Sequence, residues 1–548
     1  MLNPKVASKI LSILRKDLKR VLKLKVPGFP KVYYSSFLLR DTHWFNTWAS
    51  NGSIFKKSHD RTRIVFNDIR VGSYRLDQTT EGNLNVPQEE EQNEQTTTES
   101  LTNMPIDDRS FDGLRVALWR LSEAKFREAL TDYNRKESER LKRPDPNRNL
   151  CSFLKTKKVR SIKHSRLDKI DESYWINFCK KISGWLANLP GVSSAWVDFD
   201  SAQESKIFVN SEGSVILQHS KVFTLSASLK KLTKEGVQIE RNLVLNVADQ
   251  KELPSLAKFQ NMLLEKHREL IKLSRAQTIH AFSGPVLLYP IPAGLLFHEA
   301  LGHRLEGNRL LSSGEGQTFK GQLNKKILPI EIDVYDSPKI KKFEGRKLIG
   351  AYEYDDEGVP AEKAILIEKG VLQGFLTSRA QIPDKKNLLN GHGRNSKAQR
   401  PISRMGVTVI RSAKAIPLNQ LKELLLNEIK KQKKPFGMIV YETNGGETET
   451  TRYDFQGFFG EISYATLVYP DGKEILVRGV DFVGTPLQAL NNIIAVSNEL
   501  EMENGFCGAE SGMIPISTIS PAVLLRNLEL QAKNENLAPP FLLKRPKK

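Results

Sequence analysis

Cysteine is scarce. Three in 548 residues (Cys151, Cys179 and Cys507) cannot build a disulfide framework, so the expected setting is a reducing compartment. Long apolar runs are missing too. No stretch approaches 18 uncharged apolar residues, which excludes a helical membrane span. Internal repeats and recognisable nucleic-acid modules are also absent. A net charge of +20 permits contact with nucleic acid, but the basic residues are scattered, and no nucleic-acid partner is expected. Histidine is rare, at nine residues, which makes the placement of two of them informative.

What is present fits a large globular protein. Hydrophobic content of 39% and charged content of 27% suit a soluble chain long enough for two or more domains. Residues 5–25 alternate apolar Val6, Ile10, Leu14 and Leu18 with Lys and Arg. This predicts an amphipathic basic helix, either packed on the fold or lying on a membrane surface or nucleic acid. Lys9 interrupts any signal-peptide core, so export is not expected. Residues 32–76 read as short strands, including 32–39 and 62–66, around the Asn51–Gly52 turn. Residues 78–110 are polar and acidic and read as a flexible excursion. Helices are expected at 111–142, 170–188, 254–276 and 485–498. Strands are expected over 192–248, and strand pairs over 364–375 and 462–477.

The centre of the chain carries His298, Glu299 and His303 in the order H-E-x-x-x-H. In the common zinc-protease helix the histidines are four apart. At about 100° per residue, residues four apart share a face, whereas residues five apart diverge by about 140° on a regular helix. A shared metal therefore requires a π-bulge or a break between them, and Gly302 was expected to supply loose backbone there. A satisfied polar patch accounts for the spacing equally well. A catalytic zinc takes three protein ligands. Glu306 is the nearby candidate for the third and Cys507 the distant one, although Cys507 also reads as a small buried hydrophobe.

Several segments together resemble the TldD/PmbA metallopeptidase family, in its TldD-type branch: 298–307 (HEALGHRLEG), 350–360 (GAYEYDDEGVP), 390–394 (NGHGR), 444–446 (NGG) and 506–508 (FCG). The resemblance covers the C-terminal half closely and the N-terminal half loosely. It implies an α+β, two-domain TldD-like architecture: an N-terminal α/β domain over 1–278 and a C-terminal β-rich domain over 279–548 carrying the metal-site helix. It implies one Zn2+ held by His298, His303 and Cys507, with other divalent metals able to replace it, and Glu299 as general base. Glu306 would orient a ligand histidine. Independently of the resemblance, His392 and Arg394 in their glycine-bounded loop are candidates to stabilise the oxyanion, to bind substrate main chain or merely to shape the loop, and Gly445 and Gly446 would let a peptide approach the backbone closely. The implied substrate is an unfolded peptide, and the implied assembly is a cytoplasmic homodimer or a heterodimer with a PmbA-like subunit. A non-catalytic partner subunit and a basic membrane- or nucleic-acid-associated protein are the alternative readings.

Overall fold

The computed structural model describes residues 1–79, 100–142, 149–311, 317–383, 388–450, 456–533 and 537. Helix α1 (Pro4–Val21) starts on a proline, with Asn3 capping the Lys5 amide, and leads into strands β1 (Val32–Ser50) and β2 (Ser53–Val71). Asn51 and Gly52 join them with φ of 52° and 80°. This left-handed pair suits the twist of a hairpin. Two 19-residue strands replace the short ones expected. Charged positions that looked like breaks continue the ladder, because they pair across it. Asp41 accepts from Arg61 Nε at 2.9 Å and from Arg63 Nε at 2.7 Å.

Strands β3 (Ser194–Asn210), β4 (Val215–Leu232) and β5 (Gln238–Val247) extend the sheet in the order β2-β1-β3-β4-β5. A three-residue strand, Arg160–Ile162, also joins β4. Alternate residues on one face bury against helices. Phe37, Leu39 and Val65 pack with α1 and with α2 (Asp112–Lys142), while Phe45, Phe199 and Leu225 pack with α3 (Glu172–Leu186) and α4 (Leu256–Leu273). The four helices expected over these segments are therefore present.

The apolar side of α1 is occupied by this core. Ile10 and Leu14 are fully buried, so the face that a membrane would need is already used. Leu14→Ala is expected to lower stability by about 2–5 kcal/mol, measured as an earlier urea midpoint. An unchanged midpoint would mean that the helix does not contribute to the core. Most of the acidic excursion, residues 80–99, lies outside the described residues. Its flanks depart from the expectation, since Gln78, Thr79, Thr102 and Met104 are buried and the Gln78 side chain donates to Ile69 O at 2.6 Å.

The second sheet begins at Gln277–Thr278 and ends in β11. Five of its strands close on themselves: β6 (Phe282–Leu288), β7 (Gly437–Thr448), β8 (Phe458–Val468), β9 (Val480–Gly484) and β11 (Gly512–Ala532). Strand β10 (Ile493–Ala509) forms a hairpin with β11. The helix expected at 485–498 stops early and covers only Pro486–Asn491. Beyond it, Ile493 and Val496 pair with Leu525 and Val523. Their spacing of three fits a helix, but pairing with the waiting strand wins, with a register shift between Ile493 and Ala495. Helix α5 (Pro290–Phe297) follows β6, and Ala293, Leu296 and Phe297 bury in the main core with Val286, Val440 and Leu525. The two sheets meet through buried charge. Arg40 on β1 donates to Asn395 O at 2.7 Å and lies 3.1 Å from Asp356, and Lys206 donates to Asp356 at 2.8 Å.

Candidate metal centre

Helix α5 is apolar on all sides and buried, so its end is held rigidly. The chain then widens into a π-helical turn, His298–Gly302, and tightens into a 3₁₀ turn, His303–Leu305. The wider turn absorbs the extra residue of the H-E-x-x-x-H spacing. The two imidazoles consequently share a side, with ring centroids 4.8 Å apart and planes at 88°. Gly302 serves a purpose other than the one expected. Its backbone is ordinary right-handed helix, and a Cβ there would lie 2.3 Å from Met405 Sδ, so it is the close approach of Met405 that requires glycine.

Strand β10 brings Cys507 to this pair. The donor atoms of His298, His303 and Cys507 all lie within 4.8 Å of one another, and this is the one such His/Cys/Asp/Glu group among the described residues. His303 Nε2 is 3.4 Å from Cys507 Sγ. Two ligands at zinc-like bond lengths in a tetrahedral arrangement are separated by about 3.5 Å, so the pair already has the spacing of a coordinated set. Two imidazoles and a thiolate also suit zinc chemically. His298 is half-buried and the other two are buried.

The surroundings hold each ligand in its binding form. His303 Nδ1 lies 3.1 Å from Glu306 Oε1, which leaves Nε2 to face the thiol. Glu306 is fully buried and accepts from Arg309 Nη2 at 2.7 Å. Burial alone would raise its carboxyl, yet His303, Arg309 and Arg404 hold it down to about 2. Arg404 donates to Cys507 O at 2.7 Å and to Cys507 Sγ at 3.2 Å, and its Nε lies 3.4 Å from Glu306. Burial would push the Cys507 thiol up, but His303 and His298 hold it well below the usual thiol range.

Glu299 follows the first histidine and is 5% exposed. Among the described residues its carboxylate has no hydrogen-bond or ion-pair partner, and burial raises its pKa although His298 and His303 oppose the shift. Gly446 on β7 backs onto it, since a Cβ at that position would lie 3.3 Å from Glu299 Cγ and 2.6 Å from Phe459 O. At Gly445, φ is 146° and the space beside Cα is open. Gly446 thus lies against Glu299, and its neighbour Gly445 has open space at its own position.

His392 and Arg394 lie elsewhere. His392 is fully buried, with its two ring nitrogens 2.9 Å from Asn390 Oδ1 and 3.1 Å from Asp336 Oδ1. Arg394 donates to Met405 O at 2.6 Å and to Pro515 O at 2.9 Å. These contacts brace the segment that carries Arg404, whose amide donates to His392 O at 2.9 Å. Two further residues surround the centre without a motif to announce them. Arg404 was one arginine among many in the sequence. Glu503 lies four residues before Cys507 on the same face of β10, with open space at Gly505 between them. Solvent reaches Glu503, yet the protein encloses it closely enough that burial pushes its carboxyl up to about 7, with His298 opposing. The even spacing along a strand was the only sequence signal for it.

Fold and site together set a largely buried His/His/Cys group on a π-distorted helix against a β-rich sheet. Residues 283–532 match the family model for the PmbA/TldA metallopeptidase C-terminal domain, so this part of the chain is similar to the TldD/PmbA family. A protein named metalloprotease from Archaeoglobus fulgidus is 33% identical over 236 residues, which cover 43% of this chain and 50% of the relative. A zinc metalloprotease TldD homolog from Saccharolobus solfataricus is 25% identical over 367 residues, covering 66% of this chain and 76% of that protein. The chain thus spans about half the length of some curated relatives it matches and about three quarters of others. The solved structure of TldE from Thermococcus kodakarensis shares the fold, with a TM-score of 0.59 at 14% identity, covering 96% of this chain and all of that one. Among the described residues, no helix is long and apolar enough to cross a membrane.

Proposed function

We propose that this chain is a metal-dependent peptidase of the TldD type that hydrolyses peptide bonds in extended or unfolded peptides. The observation that carries the reading is the unpaired, buried Glu299 carboxylate beside the convergent donors of His298, His303 and Cys507. One Zn2+ fits that donor set, with other divalent ions as substitutes. Held there, it supplies Lewis acidity toward a scissile carbonyl and a water. Glu299 accepts the proton of the attacking water and returns it to the leaving amine. Its raised pKa brings it nearer the working pH and strengthens it as a base. Glu306 and Arg404 keep His303 and Cys507 oriented. Gly445 and Gly446 let an extended peptide approach β7 beside Glu299. The catalytic unit is residues 279–548, and residues 1–278 form the supporting domain. The chain works in the cytoplasm as a homodimer or with a PmbA-like subunit.

Metal removal tests the reading. Hydrolysis of a quenched-fluorescence extended peptide is expected to vanish after dialysis against a chelator and to return with one equivalent of Zn2+. Full activity in protein shown by elemental analysis to be metal-free would overturn it.

A further inference from the structure

Arg304 follows the ligand His303 and is 2% exposed. Its Nη2 donates to Thr448 Oγ1 at 3.0 Å and to Glu449 O at 2.6 Å. Among the described residues its buried Nε and Nη1 have no hydrogen-bond partner, and no carboxylate oxygen comes within ion-pair distance of the guanidinium. The neighbouring arginines differ in this respect, since Arg309 binds Glu306 and Glu510, and Arg404 reaches Glu306. A buried cation without a counter-charge is costly. Nε and Nη1 point to different sides of the guanidinium, and with Nη2 engaged each can donate to one oxygen of an anionic group; a carboxylate supplies that oxygen and the missing counter-charge.

The position of Arg304 relative to Glu299 follows from β7. Gly446 lies against Glu299, and Thr448, which binds Arg304, is two residues further along the strand. That separation is about 7 Å at the rise of a strand, and an extended peptide covers it in about two residues.

We propose that Arg304 is the anchor for a carboxylate of the peptide, within about two residues of the bond cleaved. This rests on the peptidase reading above and adds a substrate class to it. The carboxylate is either the α-carboxylate of the peptide's C-terminus or an Asp or Glu side chain. An α-carboxylate makes the chain a releaser of short C-terminal fragments, and a side chain makes it selective for acidic sequences.

The test uses the full-length, metal-loaded protein and three peptides of one neutral sequence: a free acid, its C-terminal amide, and an amide carrying one Glu moved stepwise along the chain. Wild type is expected to favour the acid, or the Glu-bearing amide, over the neutral amide by about tenfold or more in kcat/KM, about the effect of one 1.4 kcal/mol contact. Mass spectrometry should place the cut within two residues of the carboxylate. The favoured peptide distinguishes the two sources. Arg304→Gln should bring the ratio close to one, and Arg304→Lys should retain part of it. Calorimetric binding of the same peptides to Glu299→Gln protein, with and without Arg304→Gln, measures the preference without turnover and also reports whether the double variant is folded and metal-loaded. Equal use of all three peptides by wild type, or a preference that survives Arg304→Gln, overturns the proposal. Absence of hydrolysis of any peptide would instead count against the peptidase reading, and the binding comparison would still decide the role of Arg304.

Discussion

Glu299→Gln is expected to reduce peptide hydrolysis by about 10²–10⁴-fold, the usual contribution of a positioned general base, while metal content stays at the wild-type level. Glutamine keeps the size of the side chain and its contact with Gly446 but cannot accept a proton. Glu299 makes no hydrogen bond or ion pair among the described residues, so its replacement breaks no network. Its neighbours His298 and His303 are held by other contacts, His303 by Glu306 at 3.1 Å. Loss of turnover with metal retained therefore assigns proton transfer to Glu299. Unchanged turnover would remove Glu299 from the chemistry and with it the proposed mechanism. A joint loss of metal and activity would show that the side chain supports the centre instead of acting in it.

Cys507→Ala is expected to have the larger effect on metal binding, because it deletes a donor. Losing an outer contact to a ligand costs about 10–100-fold in affinity, and losing the thiolate should exceed that. In the wild-type protein, metal present at 100 times Kd adds about 2.7 kcal/mol of stability, so a rise in Tm on adding Zn2+ should disappear in the variant. Arg404 would also lose its acceptor at Sγ while keeping Cys507 O, so the strand itself should remain in register. Metal content equal to wild type would indicate Glu306 as a ligand in place of the cysteine. The geometry argues against that outcome, since Glu306 sits on the Nδ1 side of His303 and is engaged by Arg309.

The centre was partly legible in the sequence because the helical period is strict. Histidines five apart cannot share a metal on a regular helix, so the motif itself required the π-turn that His298–Gly302 forms. Gly302 was read through backbone freedom, whereas its role comes from Met405, more than 100 residues away, a contact that no local pattern encodes. The same limit applies to Arg404 and Glu503, whose positions depend on β10 and on the 390–406 segment meeting at the site. His392 and Arg394 were legible as a glycine-bounded pair, but their partners Asp336, Met405 O and Pro515 O come from elsewhere in the fold. In the N-terminal half, helix periodicity located the four long helices, but cross-strand ion pairs such as Asp41 with Arg61 and Arg63 hid the length of β1 and β2.

The order in which the ring closes also sets a schedule. Cys507 lies 204 residues after His303, and β11, which pairs with β10, β6 and β9, comes later still. At about 5–20 residues per second, a ribosome leaves the histidine pair waiting about 10–40 s for its third donor. During that interval the nascent chain has a helix but no complete ligand set. The centre is thus incomplete while the chain is still extended, and under the proposed peptidase function completion of the last hairpin would act as a safety catch.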